Sequence, residues 1–409
     1  MPHRFVLTGT YCHFNKGDAA MQLTTADELK RRYEDCEITI SAPFPEKDKP
    51  FYEPYRVIKC HRRNLLYGFV QCACAWLWKK CRWKAFLLDE EMRRYAEADL
   101  VIDLSGDMLT EDYGVHLAIS HFLPILLANA MGRKVFLCAQ SIGPFRYTES
   151  LAKYILNHAG AVTVRDQVTM DYLESIGVAP RRLGLTGDMA FIMKPLDSDR
   201  GRGRIVDVLD HSRNGPVLGV SLSFLIEKHF RKRCPVAHQV EFWGLIAQAL
   251  DRWASKYRGR VIFFAHVTGP GKDRDDREAC RKVAKLMQSP SGLIEEDLTP
   301  GQIKGMIRHC DLFFGARMHA NIAALSSFVP TVAISYSHKT PGIMTQLECG
   351  EHVMHIEAMS PSLIDASLSR LVKERESVRA KLHEHIPEIQ EGSRNNLERV
   401  EALIDGETG

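Results

Sequence analysis

Short apolar runs of strand length, each closed by a small polar turn and followed by a helical stretch, recur along most of the chain. Phe5–Leu7 leads through Gly9 to Asn15-Lys16-Gly17-Asp18, ahead of a helical pattern over Ala19–Arg32, and Glu37–Ser41 follows as a second strand. Ala98–Leu104 ends in Ser105-Gly106-Asp107, and Val135–Ala139 in Gln140-Ser141-Ile142-Gly143-Pro144. Ala161–Val164 ends in Arg165-Asp166, and Leu183–Thr186 in Gly187-Asp188. Continuous apolar runs are strands buried on both faces, and helices between them make the crossovers that a parallel sheet requires. The grammar restarts at Val217–Ser221 and continues through Arg260–Ala265, Gly292–Ile294, Leu312–Phe314 and Thr331–Ile334. The fold class is therefore α/β, with two Rossmann-like parallel-sheet lobes facing a cleft. We divide the chain into an N-terminal lobe (1–195), an Asp-, Arg- and Gly-rich linker (196–215), a C-terminal lobe (216–375) and a charged helical tail (376–409) positioned to cross back onto the first lobe.

Ligands of open parallel sheets bind at the carboxyl ends of the strands, so the polar turns carry the chemistry. Neither lobe has the G-x-G-x-x-G fingerprint, which argues against a nicotinamide dehydrogenase. The most informative turn lies in Cys310–Lys339, which reads as strand, turn, helix, strand. It places Arg317 and His319 where a helix begins, a position that favours an anion. Asn15 and Asp18 fit either a polyol contact or helix capping.

Charge bounds the partners. The chain of 409 residues has 54 basic and 51 acidic side chains, a net +3 that gives no argument for nucleic acid. Its 11 cysteines follow no regular framework, and Cys72 and Cys74 are too close for a C-x-x-C pair. With no secretory signal before the first strand, reduced thiols and a cytoplasmic location are expected. No His/Cys/Asp grouping has metal-ligand spacing, and Asp273, Asp275 and Asp276 read as a solvated helix start.

One segment, 61–88, does not fit the repeat. It is apolar and aromatic yet carries Lys79, Lys80, Arg82 and Lys84 beside Trp76, Trp78 and Trp83. Its apolar part is too short to span a bilayer. Peripheral contact with the inner face of a membrane is one reading, and a helix pair packed on the lobe with solvated lysines is the other.

Taken in order, Asn15-Lys16-Gly17-Asp18, Ser105-Gly106-Asp107, Gln140-Ser141-Ile142-Gly143-Pro144, Val164-Arg165-Asp166, Gly187-Asp188, His266 with Asp275-Asp276, Gly315-Ala316-Arg317-Met318-His319-Ala320, and Tyr336 with Lys339 form a set. This set resembles the polysaccharide pyruvyl transferase family over roughly residues 5–350, most closely the members of colanic-acid-type exopolysaccharide assembly. Ser105-Gly106-Asp107 replaces a more glycine-rich run common in that family, and the 61–88 insert has no general counterpart there. The resemblance implies a GT-B-like fold and transfer of pyruvate from phosphoenolpyruvate to a sugar as a cyclic ketal. It also implies that Arg165, Arg317 and His319 bind the donor or assist catalysis, with no further cofactor required.

Within that expectation the donor site comprises Arg165, Arg317, Lys339, Tyr336 and His266, because arginines grip carboxylate and phosphate in a forked geometry that lysine lacks. His319 is the candidate acid that protonates the enol carbon. The acceptor, a sugar or oligosaccharide that is free or lipid-linked, is assigned to Asn15, Asp18, Asp107 and Ser141, with Asp18 or Asp107 as base. Two rivals stand beside this reading: a glycosyltransferase using a nucleotide sugar, and a non-catalytic sugar-binding or assembly protein.

Overall fold

The computed structural model describes residues 2–179, 183–196, 215–234, 241–271, 274–336 and 339–406. The linker expected over 196–215 lies outside the described residues except at its two ends. The chain divides into two compact units. Unit 1 comprises Met1–His13, Asp18–Met189 and Ile389–Gly409, and unit 2 comprises Phe14–Gly17 and Ala190–Glu388.

Unit 1 is built on a seven-stranded sheet of order β3-β2-β1-β4-β5-β6-β7. Its strands are β1 (Arg4–Thr8), β2 (Glu37–Ala42), β3 (Arg56–Lys59), β4 (Leu100–Asp103), β5 (Lys134–Gln140), β6 (Ala161–Val164) and β7 (Leu183–Leu185). Every pairing is parallel, with Phe5 opposite Leu100 and Val101 opposite Val135. The order reverses direction beside β1 and β4, so the turns after those strands flank a topological switch point. Val101, Leu137 and Val162 pack against Phe122, Ile155 and Leu173 of the covering helices. The terminal part of the helix Pro361–Asp405 is fixed by buried polar contacts, Asn396 Oδ1 accepting from the Thr163 hydroxyl at 2.6 Å and the Ser393 hydroxyl donating to the Asp188 carbonyl at 2.8 Å.

Unit 2 repeats the plan with six parallel strands in the order β10-β9-β8-β11-β12-β13. They are β8 (Val217–Ser221), β9 (Arg260–Phe264), β10 (Ser291–Ile294), β11 (Leu312–Gly315), β12 (Thr331–Ser335) and β13 (Val353–His355). Ile262, Phe264 and Phe313 form the core with Ile307 and Ala320. The helix Pro300–Ile307 opens with Pro at its first position and a full capping box between Thr299 and Gln302.

Several elements depart from the sequence expectation, the helices Pro45–Asp48 and Glu90–Glu97 among them. Strand β3 was not anticipated, because only its two middle residues are buried and its ends are the exposed Arg56 and Lys59. The helix Phe224–Arg233 was also unanticipated: it is rich in lysine and arginine and buries only Ile226 and Phe230. The 61–88 insert contains one helix, Leu65–Cys81, followed by a short turn rather than a helix pair.

Candidate functional site

The site in unit 2 begins where β11 ends. All four strand residues are buried, so the chain leaves the sheet edge rigidly and Arg317 directly precedes the helix Met318–Leu325. Arg317 does not cap that helix with its side chain. Its guanidinium instead forks onto Asp276, Nε donating to Oδ2 at 3.0 Å and Nη2 to Oδ1 at 2.8 Å. Asp276 is the first residue of the helix Asp276–Leu286, is 1% exposed, and also accepts the Val267 amide at 3.0 Å. Burial raises its pKa, and the Arg317 charge and hydrogen bond oppose that rise. The expectation of a solvated helix start over 273–276 is corrected for Asp276, which is buried because it orients Arg317; Asp273 lies outside the described residues.

A second chain segment completes this neighbourhood. Phe14–Gly17 laces onto the end of β9: Asn15 and Val267 form an antiparallel bridge, the Lys16 amide donates to the His266 carbonyl at 2.9 Å, and the Thr268 amide donates to the Phe14 carbonyl at 2.9 Å. Lys16 is fully buried and its ammonium meets Asp297 Oδ1 at 2.5 Å. Gly17 lies against the His319 ring so closely that a Cβ there would stand 2.2 Å from Nδ1. His266 is buried, and burial first, then the charges of His319, Arg317 and Lys16, hold its pKa well below the ordinary value, which keeps it neutral. Two imidazoles, a guanidinium and an ammonium therefore share one part of unit 2, with Asp276 and Asp297 as the carboxylates paired to the two cations. Such a group suits a small ligand bearing a carboxylate or phosphate.

Two further expected donor residues follow β12. The Tyr336 ring stacks on His229 at 4.9 Å between centroids, and its carbonyl accepts from Arg233 Nη2 at 3.0 Å. Lys339 opens the helix Lys339–Gln346, but its side chain lies outside the described residues. Asn15 Oδ1 accepts the Gly17 amide at 3.2 Å, a local turn that shapes the segment.

Unit 1 gathers Ser141 and Arg165 in a separate buried network. Arg165 Nε donates to Ser141 Oγ at 2.9 Å and Nη1 to Asp188 Oδ2 at 2.5 Å, while the Ser141 hydroxyl donates to Asp166 Oδ2 at 2.6 Å. Asp166 in turn caps the helix Gln167–Ser175 through the Thr169 amide. With its side chain only 2% exposed, Arg165 is part of this network. A neighbouring cluster joins Asp103, Gln140, Ser105 and His121: Gln140 Nε2 donates to Asp103 Oδ1 at 2.6 Å, and Ser105 Oγ and His121 Nδ1 are 3.0 Å apart. Burial, then the Arg62 charge, pushes the His121 pKa well down. Gly9, at φ +97°, lets the β1 turn pass so close to Ser105 and Asp103 that a Cβ there would clash with both. Asp18 is half-buried and accepts the Tyr11 amide at 2.8 Å; Asp107 is half-buried and accepts from the Tyr113 hydroxyl at 3.0 Å.

Sequence reasoning passed over Lys16, Gly17 and Asp297 as site residues. The only signal was the Asn-Lys-Gly-Asp turn itself, since nothing local shows that Lys16 meets a carboxylate 281 residues away. Among the described residues one group, Glu351, His352 and Glu374, brings metal-ligating atoms together within 4.8 Å. Lys381 already pairs with Glu351 at 3.1 Å, so the group is accounted for as an ion-pair network.

The profile of the polysaccharide pyruvyl transferase family matches residues 15–338. The amylovoran biosynthesis protein AmsJ of Erwinia amylovora is 22% identical over 402 residues, 92% of this chain and 93% of AmsJ. Among solved structures, a putative UDP-N-acetylglucosamine 2-epimerase from Listeria monocytogenes superposes with a TM-score of 0.63 at 11% identity, covering 99% of this chain and 98% of that one. A glycosyltransferase from Rickettsia africae gives 0.59 at 13% identity, covering 99% of both chains. At these identities the structures establish the fold alone, the GT-B type of glycosyltransferases and epimerases.

Proposed function

Because this chain belongs to the polysaccharide pyruvyl transferase family, and so to transferases acting on polysaccharide, we propose that it transfers pyruvate from phosphoenolpyruvate to a sugar of an exopolysaccharide or its lipid-linked precursor. The observation that carries this reading is the unit 2 group in which Arg317, aligned by Asp276, stands with His319, His266 and Lys16. The donor is a small polyanion, and the forked guanidinium offers it geometry as well as charge. The relative named for amylovoran biosynthesis directs the acceptor toward an exopolysaccharide.

In this reading His319 delivers a proton to the methylene carbon of the bound enol. The central carbon then takes a sugar hydroxyl, phosphate leaves, and a second hydroxyl closes the ketal. One hydroxyl proton balances the new methyl group and the other leaves with phosphate. Asp18, next in sequence to Gly17, is the proposed base, with Asp107 as its alternative. Tyr336 and Lys339 are assigned to the donor side, Asn15 and Ser141 to acceptor-side turns, and Arg165 acts as a positioning residue through Ser141 and Asp188.

Incubation with phosphoenolpyruvate and exopolysaccharide repeat units, free and lipid-linked, tests the reading by phosphate release and by a mass gain of one ketal-linked pyruvate. A parallel thermal-shift series compares phosphoenolpyruvate with nucleotide sugars. Protection by a nucleotide sugar alone would assign the chain to glycosyl transfer, and protection by neither would assign it to a non-catalytic role.

A further inference from the structure

The helix Leu65–Cys81 is apolar on the side that faces away from its own unit. Gly68, Gln71, Ala75 and Trp78 are its buried positions, and it packs on the helix Val115–Ala130. Leu66, Phe69, Val70, Ala73, Trp76 and Leu77 form the opposite stripe, at the 3- and 4-residue spacing of one helix face, and all six are exposed. The five large side chains among them are between 38% and 77% exposed. Continued to Lys80, the stripe is about 20 Å long at 1.5 Å rise per residue. An unpartnered apolar face of that length is not ordinary scatter of surface hydrophobics.

Charge identifies what covers it. From Pro54 to Leu88 the chain has eight lysines and arginines and no Asp or Glu. Lys80 and Lys84 lie at the end of the stripe and are exposed, while Lys79 rests against Gly132 and Arg82 lies over the Trp78 ring. Of the carboxylates that follow, Asp89 accepts from Tyr67 and Gln71, each at 2.8 Å, Glu91 is 2% exposed, and the exposed Glu90 is paired with Arg56 at 2.8 Å. Trp83 lies beyond the helix, 67% exposed, and the Lys80 ammonium sits 4.8 Å above the Trp76 ring. Exposed tryptophans flanked by lysines at the end of an apolar stripe match the boundary between headgroups and acyl chains. Among the described residues no helix is long and apolar enough to cross a membrane, so the contact this face offers is in-plane.

We propose that the Leu66–Leu77 stripe and the adjoining lysines dock unit 1 on an anionic lipid surface. This inference stands independently of the donor chemistry. The test is flotation of the full chain with phosphatidylglycerol-containing vesicles and with pure phosphatidylcholine vesicles. The wild-type chain is expected to float with the anionic vesicles, and less so as salt rises. Lys80→Gln with Lys84→Gln should lower partitioning about fivefold per lysine. Leu66→Ser, Phe69→Ser and Trp76→Ser together should lower it at least tenfold, with an unchanged melting temperature. Wild-type protein remaining at the bottom of the anionic gradient overturns the proposal, as do variants that float like the wild type. A self-associated wild type that the serine variant renders monomeric, without vesicle binding, gives the face to a second copy and likewise overturns it.

Discussion

Arg165 and Arg317 each follow a buried strand and precede a helix, and each is paired with a buried aspartate, although β6 lies beside the edge of its sheet and β11 is central in its own. They differ in what surrounds the pair. Arg165 is closed in by Ser141 and Asp188 with its side chain 2% exposed, whereas the Arg317 side chain remains 19% exposed and neighbours His266 and His319. A buried arginine with its carboxylate and hydroxyl partners holds a loop in shape. One that is aligned by a buried aspartate and partly exposed suits the anion-binding role proposed for it.

The strongest way to break this contrast is at the open pair. His319→Ala is expected to lower phosphate release from phosphoenolpyruvate by about 10²–10⁴-fold, the usual range for a lost acid–base group, without lowering the melting temperature. Arg317→Lys should also lose most transfer, because an ammonium does not reproduce the fork. Near-normal phosphate release from either variant would remove unit 2's claim to the chemistry.

The closed pair predicts loss of stability first. Arg165→Met leaves Asp188 buried opposite an apolar side chain and should destabilise the protein by about 3–5 kcal/mol, read as a lower urea midpoint. Arg317→Met leaves Asp276 buried too, but still accepting the Val267 amide, and should cost less than Arg165→Met. Equal costs would mean that both arginines are structural.

Lys304 sharpens the comparison, as a buried cation held by carbonyls rather than by a carboxylate. It is 2% exposed and donates to the Met193 carbonyl at 2.7 Å, and burial lowers its pKa to about 8. Below that value the folded protein bears the cost of a desolvated ammonium. Between about pH 8 and the ordinary 10.5 the unfolded chain binds the extra proton, so stability rises with pH, by up to roughly 3 kcal/mol. Thermal melts across this range should show the rise in wild type and a flatter profile in Lys304→Met.

The smallest expected effect is the most local. In Gly17→Ala the new methyl group meets the His319 ring, so the imidazole must shift. Transfer should fall about tenfold while the urea midpoint holds, since sub-ångström to ångström displacement of a catalytic group is costly. An unchanged rate would separate His319 from the chemistry.

Much of the fold could be read locally. The apolar runs at Val101, Phe263 and Phe313 are strands because nothing polar interrupts them, and the turns that follow carry Ser105, His266 and Arg317 to the strand ends where a parallel sheet binds its ligands. Strand β3 and the helix Phe224–Arg233 escaped because each buries only two side chains, too few for a periodic signal. The 61–88 segment showed its apolar and basic character in sequence, but its all-round hydrophobicity concealed which face is turned outward. Packing of that helix against Val115–Ala130 decided it.

The sequence by itself determined the α/β class, the doubling of the sheet plan and the position of Arg317 and His319 at a helix start, because spacing along a chain fixes strands, turns and helices. Only the tertiary structure decided that Asp276 aligns Arg317, that Lys16 meets Asp297, and that Gly17 seats the His319 ring. Those partners are 41, 281 and about 300 residues apart. A charge buried by folding finds its counter-charge in space, and local residue spacing carries no record of that distance.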